Sequence, residues 1–353
     1  MTFEDVLEIK NGKNQRAVED PNGTYPIYGS GGIMGYANNF ICQANTVIIG
    51  RKGNINKPIY VEEPFWNVDT AFGLEAKKEV LLPKYLYYFC LRFDFERLNK
   101  AVTIPSLTKS DLLKIEMELP AIAIQAEVID RLGKIEKIID LRKKELQRLD
   151  DLIKARFVEM FGGEKNLMAM SDICSIITDG THQPPKFKED GIPFIFVSNI
   201  TGDKLTYDAE KFIDQDTYDE LVKRTPIEIG DVLLSTVGSY GHPAVVKSDK
   251  KFLFQRHIAY LKPRREIVDS DYLHGAILSP GAQQQIEESV KGIAQKTLNL
   301  SEIKKMRIPI PNMDKQKEFA SFVTQVDKSK ARIQKALDET QLLFDSLMQE
   351  YFG

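Results

Sequence analysis

Met117-Glu118-Leu119-Pro120 opens a stretch that runs to Phe161-Gly162-Gly163, and Arg307-Ile308-Pro309-Ile310-Pro311 opens a second that ends the chain at Phe352-Gly353. Laid over each other, Gln125 falls on Gln316, Leu132 on Val323, Ile135 on Val326, Lys137 on Lys328, Leu146 on Leu337 and Phe161 on Phe352, always 191 positions apart. A gapless repeat of this length, once in the middle and once at the end, predicts a protein of two similar halves.

Within the first copy, Val128, Leu132, Ile135, Ile139, Arg142, Leu146, Leu149, Ile153, Arg156 and Met160 step by alternate fours and threes, the a/d seam of a heptad helix. The second copy gives Phe319, Val323, Val326, Lys330, Ile333, Leu337, Thr340, Phe344, Leu347 and Tyr351. Their lapses are complementary: Arg142 and Arg156 answer Ile333 and Leu347, while Lys330 and Thr340 answer Ile139 and Leu149. Each seam needs a partner helix. The second globular segment leaves the C-terminal end of one helix and feeds the N-terminal end of the other, so a pair would run antiparallel. At 1.5 Å per residue each helix would be a strut of roughly 50 Å. The expected fold is therefore mixed α/β (α+β), with two similar globular domains, residues 1–119 and 164–310. Two long helical spacers, residues 120–163 and 311–353, would form an antiparallel coiled coil and relate the domains by a pseudo-two-fold.

The composition allows two cores: 353 residues, 42% hydrophobic and 28% charged. A net charge of −3 argues against a protein that coats nucleic acid by charge alone, but not against groove reading by a few local cations. Cys42, Cys90 and Cys174 have no CxxC spacing and read as small buried hydrophobes in a reducing compartment. The N-terminus lacks the pattern of a secretory signal, and no run approaches the roughly 18 apolar residues of a membrane span. The expectation is a cytoplasmic protein with no membrane partner.

Residues 1–119 read as strand-rich. Tyr25-Pro-Ile-Tyr28 is closed by Gly29-Ser-Gly-Gly32, Ile33-Met-Gly-Tyr36 leads out, and Thr46-Val-Ile-Ile49 is closed by Gly50-Arg-Lys-Gly-Asn54. A helix is expected from Pro83. The second half repeats the first more loosely: residues 231–239 answer 45–53, 269–273 answer 82–86, and 290–298 answer 99–107. This pattern, a retained scaffold with altered loops, suits two readers of different targets.

Gly29-Ser-Gly-Gly-Ile-Met-Gly35 lacks the last glycine spacing of GxGxxG and reads as a turn between strands. No GxxxxGK[ST], HExxH or GxSxG occurs, and the four histidines are scattered. The chain is accordingly expected to be non-catalytic, with no metal or cofactor of its own. The residues best suited to chemistry are cations and amides in glycine-punctuated loops. Ser30, Arg51, Lys52, Asn54 and Lys57 belong to the first half, with no acid between 45 and 61. Thr181, His182, Gln183, Lys186 and Lys188 form one loop of the second half, Ser239, Tyr240 and His242 another, and Gln255, Arg256 and Lys296 complete the set. Arginine and lysine suit guanine edges and phosphates, and asparagine and glutamine suit adenine.

In this order, Tyr25-Pro-Ile-Tyr-Gly-Ser-Gly-Gly-Ile-Met-Gly-Tyr36, Leu119-Pro120…Gln125, Thr178-Asp-Gly-Thr-His182, Ile192-Pro-Phe-Ile-Phe-Val-Ser-Asn199 and Gly230-Asp-Val-Leu-Leu-Ser-Thr-Val-Gly238 resemble the DNA-specificity subunit of type I restriction-modification systems. The resemblance covers the full length. It implies that each domain reads one half of an asymmetric bipartite site on double-stranded DNA. It also implies two modification (methyltransferase) subunits carrying S-adenosylmethionine for adenine N6 methylation, and two restriction subunits using ATP and Mg where the system has them. The first half departs from the pattern, with Ile9-Lys-Asn-Gly-Lys-Asn14 in place of Thr-Asp-Gly-Thr-His. The competing expectation is a protein- or glycan-binding scaffold dimerised through its helices, which salt-insensitive binding would distinguish.

Overall fold

A computed structural model describes residues 1–99, 105–290 and 296–353. The chain divides into two compact units, Met1–Lys143 with Lys335–Gly353, and Lys144–Gln334. The two long helices are thus shared out between the units and do not stand as bodies of their own.

Unit 1 contains α1 (Phe3–Val6), β1 (Leu7–Asn11), β2 (Tyr25–Gly29), β3 (Gly32–Ala37), β4 (Thr46–Gly50), β5 (Ile59–Val61), β6 (Trp66–Asn67), β7 (Ala71–Ala76), α2 (Pro83–Arg92) and α3 (Lys109–Leu112), followed by the first part of α4 (Ile122–Phe161). An antiparallel sheet has the order β1-β7-β4-β5, with Val47 facing Leu74 and Leu74 facing Ile9. A smaller sheet, β3-β2-β6, pairs β2 with β6 in parallel. The β-branched run of β4 is buried at every position, as a central strand covered on both faces requires. Its core joins Phe3, Val6, Val47, Phe72, Leu74, Tyr85, Leu86 and Tyr88 to Val128 and Leu132 of α4.

Unit 2 contains β8 (Leu167–Ala169), α5 (Met170–Ile173), β9 (Cys174–Asp179), β10 (Ile192–Ile195), β11 (Ile200–Thr201), β12 (Lys204–Leu205), β13 (Phe212–Ile213), α6 (Gln215–Leu221), β14 (Val232–Ser235), β15 (Pro243–Val245), β16 (Leu253–Phe254), β17 (Ile258–Pro263), α7 (Ser270–Ile277), α8 (Pro280–Ser289), α9 (Leu300–Lys305), β18 (Arg307–Pro309) and the first part of α10 (Met313–Phe352). Its main sheet is β15-β14-β17-β9, with Val232 facing Leu261 and Leu261 facing Ile177. In its second sheet, β13-β10-β16, β10 pairs with β16 in parallel, as β2 does with β6.

Matching contacts recur in both units. Gln125 is fully buried: its Oε1 accepts from the Leu82 amide at 2.9 Å, and its Nε2 donates to the carbonyls of Val80 and Pro120, both at 2.9 Å. Gln316, 1% exposed, does the same with the Asp269 amide (2.9 Å) and the carbonyls of Ile267 (3.0 Å) and Pro311 (2.9 Å). A buried amide that satisfies three backbone groups fixes the angle at which each helix leaves its domain. Tyr85 packs on Phe352 with ring centroids 4.9 Å apart, and Tyr272 on Phe161 at 5.1 Å. Each core is therefore closed by the start of one long helix and the end of the other.

The seam positions of both helices are buried or half-buried throughout. In unit 1, Arg131 donates to the Tyr351 hydroxyl at 3.2 Å, and Arg142 donates to the Ala336 carbonyl and the Thr340 hydroxyl. In unit 2, Lys330 pairs with Asp150, and Arg156 with Glu318 at 3.4 Å. The polar lapses of the seam thus find polar partners.

One correspondence shifts by a residue. Asn45 and Gly230 both hold a left-handed backbone (φ 65° and 91°), as do Gly53 and Gly238 (φ 78° and 74°). The Gly53 amide donates to the Pro105 carbonyl, and the Gly238 amide to that of Lys296. Gly230 therefore answers Asn45, and Gly238 answers Gly53, one position before the expected Asp231 and Ser239. The residue that tolerates positive φ, and not the acidic side chain, occupies the turn. The expected match of 290–298 to 99–107 falls largely outside the described residues. Cys42, Cys90 and Cys174 are buried as expected, and burial pushes the Cys42 and Cys174 thiols up to about 12. No helix among the described residues is long and apolar enough to cross a membrane.

Candidate nucleic-acid interface

The loops carrying the candidate residues leave the same end of the four-stranded sheet in each unit, and only Lys188 among those described residues bridges a strand of the second sheet, at Phe212. In unit 1 this is where β1 and β4 end and β7 begins. Gly50 closes β4 so tightly that a Cβ there would lie 2.3 Å from the Asn54 carbonyl oxygen and 3.0 Å from the Ser30 Cβ. The Arg51 carbonyl accepts from the Leu107 amide at 2.9 Å, and the Arg51 guanidinium lies 5.7 Å from the Phe72 ring centroid. With the backbone pinned, Arg51, Lys52 and Asn54 are exposed, and the half-buried Ser30 donates to the Lys52 carbonyl at 3.4 Å. Lys57 is exposed two residues beyond Ile55, which is buried and anchors the loop.

In unit 2 a Cβ on Gly180 would lie 2.2 Å from the Phe254 carbonyl oxygen, so the chain passes there only as glycine. The Thr181 amide donates to that oxygen at 2.9 Å, and the Arg256 amide donates to the Thr181 carbonyl at 3.1 Å. Thr181, Gln255 and Arg256 are thereby brought together. His182 Nε2 lies 2.8 Å from Asp179, whose other oxygen accepts from Arg224 at 2.6 Å. Arg256 Nε donates to His257 Nε2 at 3.4 Å; burial first and the neighbouring Arg256 second hold His257 below the ordinary imidazole value, in its accepting form.

Lys296 donates to the Tyr240 hydroxyl at 3.3 Å and sits 3.8 Å from Glu287, and both hold it above the usual lysine range. Ser239 is exposed beside this cluster in sequence. His242 Nδ1 meets Asp203 at 2.8 Å, which raises its pKa. Lys188 is drawn instead to Asp214, 3.5 Å away, at the cap of α6. Gln183 and Lys186 are exposed, and among the described residues no hydrogen bond ties them to the others.

Sequence reasoning missed Arg224, which holds Asp179 in place from 45 residues away, with no local pattern to mark it. It also missed Lys13. A Cβ on Gly12 would lie 1.8 Å from the Val68 carbonyl oxygen, and the Lys13 amide donates to the Asn67 carbonyl at 2.8 Å, so Gly12-Lys13 takes the place of Gly180-Thr181. The glycine in Ile9-Lys-Asn-Gly12 was the available signal. Asp69 then stands where Arg256 stands, so the two units present different charges on one frame. Among the described residues, no group of three or more His, Cys, Asp or Glu is arranged to hold a metal.

A family model described as "Type I restriction modification DNA specificity domain" matches residues 1–151 and 164–340. The EcoBI specificity subunit of Escherichia coli is 22% identical over 347 residues, covering 87% of this chain and 72% of that one. The MjaVIII specificity subunit of Methanocaldococcus jannaschii is 20% identical over 328 residues, covering 83% and 73%. Among solved structures, a type I restriction-modification S subunit from M. genitalium superposes with a TM-score of 0.60 at 15% identity, covering all of this chain and 95% of that one. A chain from a type I complex solved for its assembly and conformational transition gives 0.58 at 16%, covering all of this chain and 96% of that one.

Proposed function

The chain belongs to the type I restriction-modification DNA-specificity family, and from that premise we propose that its two units each read one half of an asymmetric, bipartite site on double-stranded DNA. As a specificity subunit it recognises DNA sequence, while catalysis resides in partner subunits. The scaffold alternative finds no support in this membership. The observation that carries the bipartite reading is the repeated sheet end: one backbone frame, set by Gly12 and Gly180 and by Gly53 and Gly238, carries different side chains in each unit.

On this reading Ser30, Arg51, Lys52, Asn54 and Lys13 serve one half-site. Thr181, His182, Gln255, Arg256, Tyr240 and Lys296 serve the other, with phosphate contacts setting register and base edges giving sequence. The long helices pair antiparallel and set the spacing, about one helical turn or near 34 Å between half-sites. Support comes from partner order: Arg131 meets Tyr351, Arg142 meets Thr340, Asp150 meets Lys330 and Arg156 meets Glu318, falling along one helix as they rise along the other. Two methyltransferase subunits would dock on the outer helix faces, where Ile138, Leu141, Leu152 and Leu342 are exposed, and restriction subunits would join where present. S-adenosylmethionine, ATP and Mg belong to those partners, in the cytoplasm.

Modified-base sequencing of the source genome with and without the gene tests the reading. Loss of adenine methylation at one two-part motif is expected; an unchanged methylome would overturn it. Deleting one heptad from α4 and one from α10 should alter the gap and leave the bases unchanged.

A further inference from the structure

We propose that the β2–β3 hairpin of unit 1 is an apolar probe that enters the major groove beside the cationic loop and rests Ile33 and Met34 against base-pair edges. The proposal rests on the DNA-reading function above and adds residues to it. The hairpin turns on Ser30 and Gly31, and β3 is the edge strand of its sheet. Its register slips between Ile27 and Tyr28: Ile33 faces Tyr28 and Gly35 faces Ile27, leaving Met34 as the extra residue of a bulge. A bulge re-aims consecutive side chains, and here Ile33 and Met34 both face outward, 55% and 63% exposed, with Tyr36 at 46%. Segment 18–20 bonds the far end of β3 at Tyr36 and Ala37, so the turn end with Ile33 and Met34 is the part left open, and three large apolar groups exposed within four residues are what a soluble surface ordinarily avoids.

Unit 2 supplies the contrast. Its β10 leads into Val197, Ile200 and Leu205, which pack inward on the cluster around Ile195 and Phe254. The outward apolar tip is therefore not a requirement of the shared frame.

The tip is continuous with the cationic loop: Ser30 donates to the Lys52 carbonyl, and a Cβ on Gly31 would lie 4.0 Å from Asn54 Nδ2. Arg51, Lys52 and Lys57 are exposed there; of the acids nearby, Glu19 and Asp20 lie further along β3, against Gly35 and the Tyr36 backbone, and Asp69 stands two residues before β7, so the three cations outnumber the one acid at the tip's own end. The occupant must offer negative charge beside an apolar face. A second copy of this chain would bring two cationic loops together, and an apolar protein patch would leave them unmatched. Duplex DNA offers both, its phosphates flanking a groove wide enough for a two-stranded ribbon and lined by thymine methyl groups.

The test uses the full chain in complex with its methyltransferase subunits and a duplex bearing its own site. Ile33→Ser with Met34→Ser should weaken binding about tenfold. The slope of log affinity against log salt should stay unchanged, because that slope counts phosphates. Lys52→Ala should flatten the slope instead. Ile33→Val with Met34→Leu should bind as the parent does, which separates apolar contact from misfolding. Replacing thymine by uracil along the unit 1 half-site should weaken the parent at one position at least and leave the double serine variant indifferent there. Unchanged affinity in the double serine variant would overturn the proposal, as would lost subunit assembly with unchanged DNA binding, or a uracil scan that fails to distinguish the two proteins. A parent complex without site-specific binding would instead remove the function on which the proposal rests.

Discussion

The two units share a frame and differ at its rim. Both hang a four-stranded sheet from a buried glutamine, Gln125 or Gln316, and both close their cores with a tyrosine against the Phe of a Phe-Gly helix end. At the sheet end, however, Lys13 stands in place of Thr181 and Asp69 in place of Arg256, and an exposed hairpin follows β2 where the chain after β10 packs inward. Groups that hold the helices cannot change without loss of both packing and hydrogen bonds, whereas rim side chains can change at little structural cost. Specificity can therefore diverge while architecture is kept.

The largest effects should come from the helix ends. Phe161→Ala, in a residue 3% exposed, should cost unit 2 about 3–5 kcal/mol. Phe352→Ala, at a half-buried position, should cost unit 1 less, read by hydrogen exchange localised to each unit. Equal costs would mean that Phe352 is better sheltered in solution than its contacts indicate. Next, Gln125→Ala and Gln316→Ala should each cost about 2–3 kcal/mol by orphaning backbone groups. An effect confined to one unit would break the equivalence. Gly53→Ala and Gly238→Ala, at matched positive φ, should cost about 1–2 kcal/mol each, checked by the same exchange measurement.

The smallest effect is one of pH and should appear in unit 2 alone, which holds all four histidines. Burial keeps His274 below the ordinary imidazole value, while its Nε2 meets the Asp203 carbonyl oxygen at 2.9 Å. Its neutral form is favoured by folding, so its contribution is complete above pH about 6.5 and is lost as pH falls below that value. His242, raised by Asp203, contributes in the opposite sense, present below the ordinary value and lost as pH rises through its folded value. His257, held down by burial, acts in the same sense as His274, so exchange protection of unit 2 should fall as pH drops below about 6.5 in the parent and fall less in His274→Gln, with unit 1 unaffected by the substitution.

Much of the frame was legible because repetition and periodicity are local signals. The 191-residue offset marked the helices and their glutamines, and glycine after a β-branched run marked the β4 and β14 loops. The one-residue slip at Gly230 arose because side-chain chemistry was matched where backbone conformation decides. Arg224 escaped notice because its role exists only when residues 45 apart meet. The exposure of Ile33 and Met34 was hidden in a pattern that reads as an ordinary apolar strand until the bulge at Tyr28 sets which way they face.

The central claim, one half-site per unit, is tested most directly by exchanging residues 164–310 for those of another family member and sequencing the modified adenines in cells carrying the chimera with its methyltransferase partners. A methylated motif in which one half and the gap are retained and the other half is new is expected. A motif with both halves altered, or with neither altered, would contradict it.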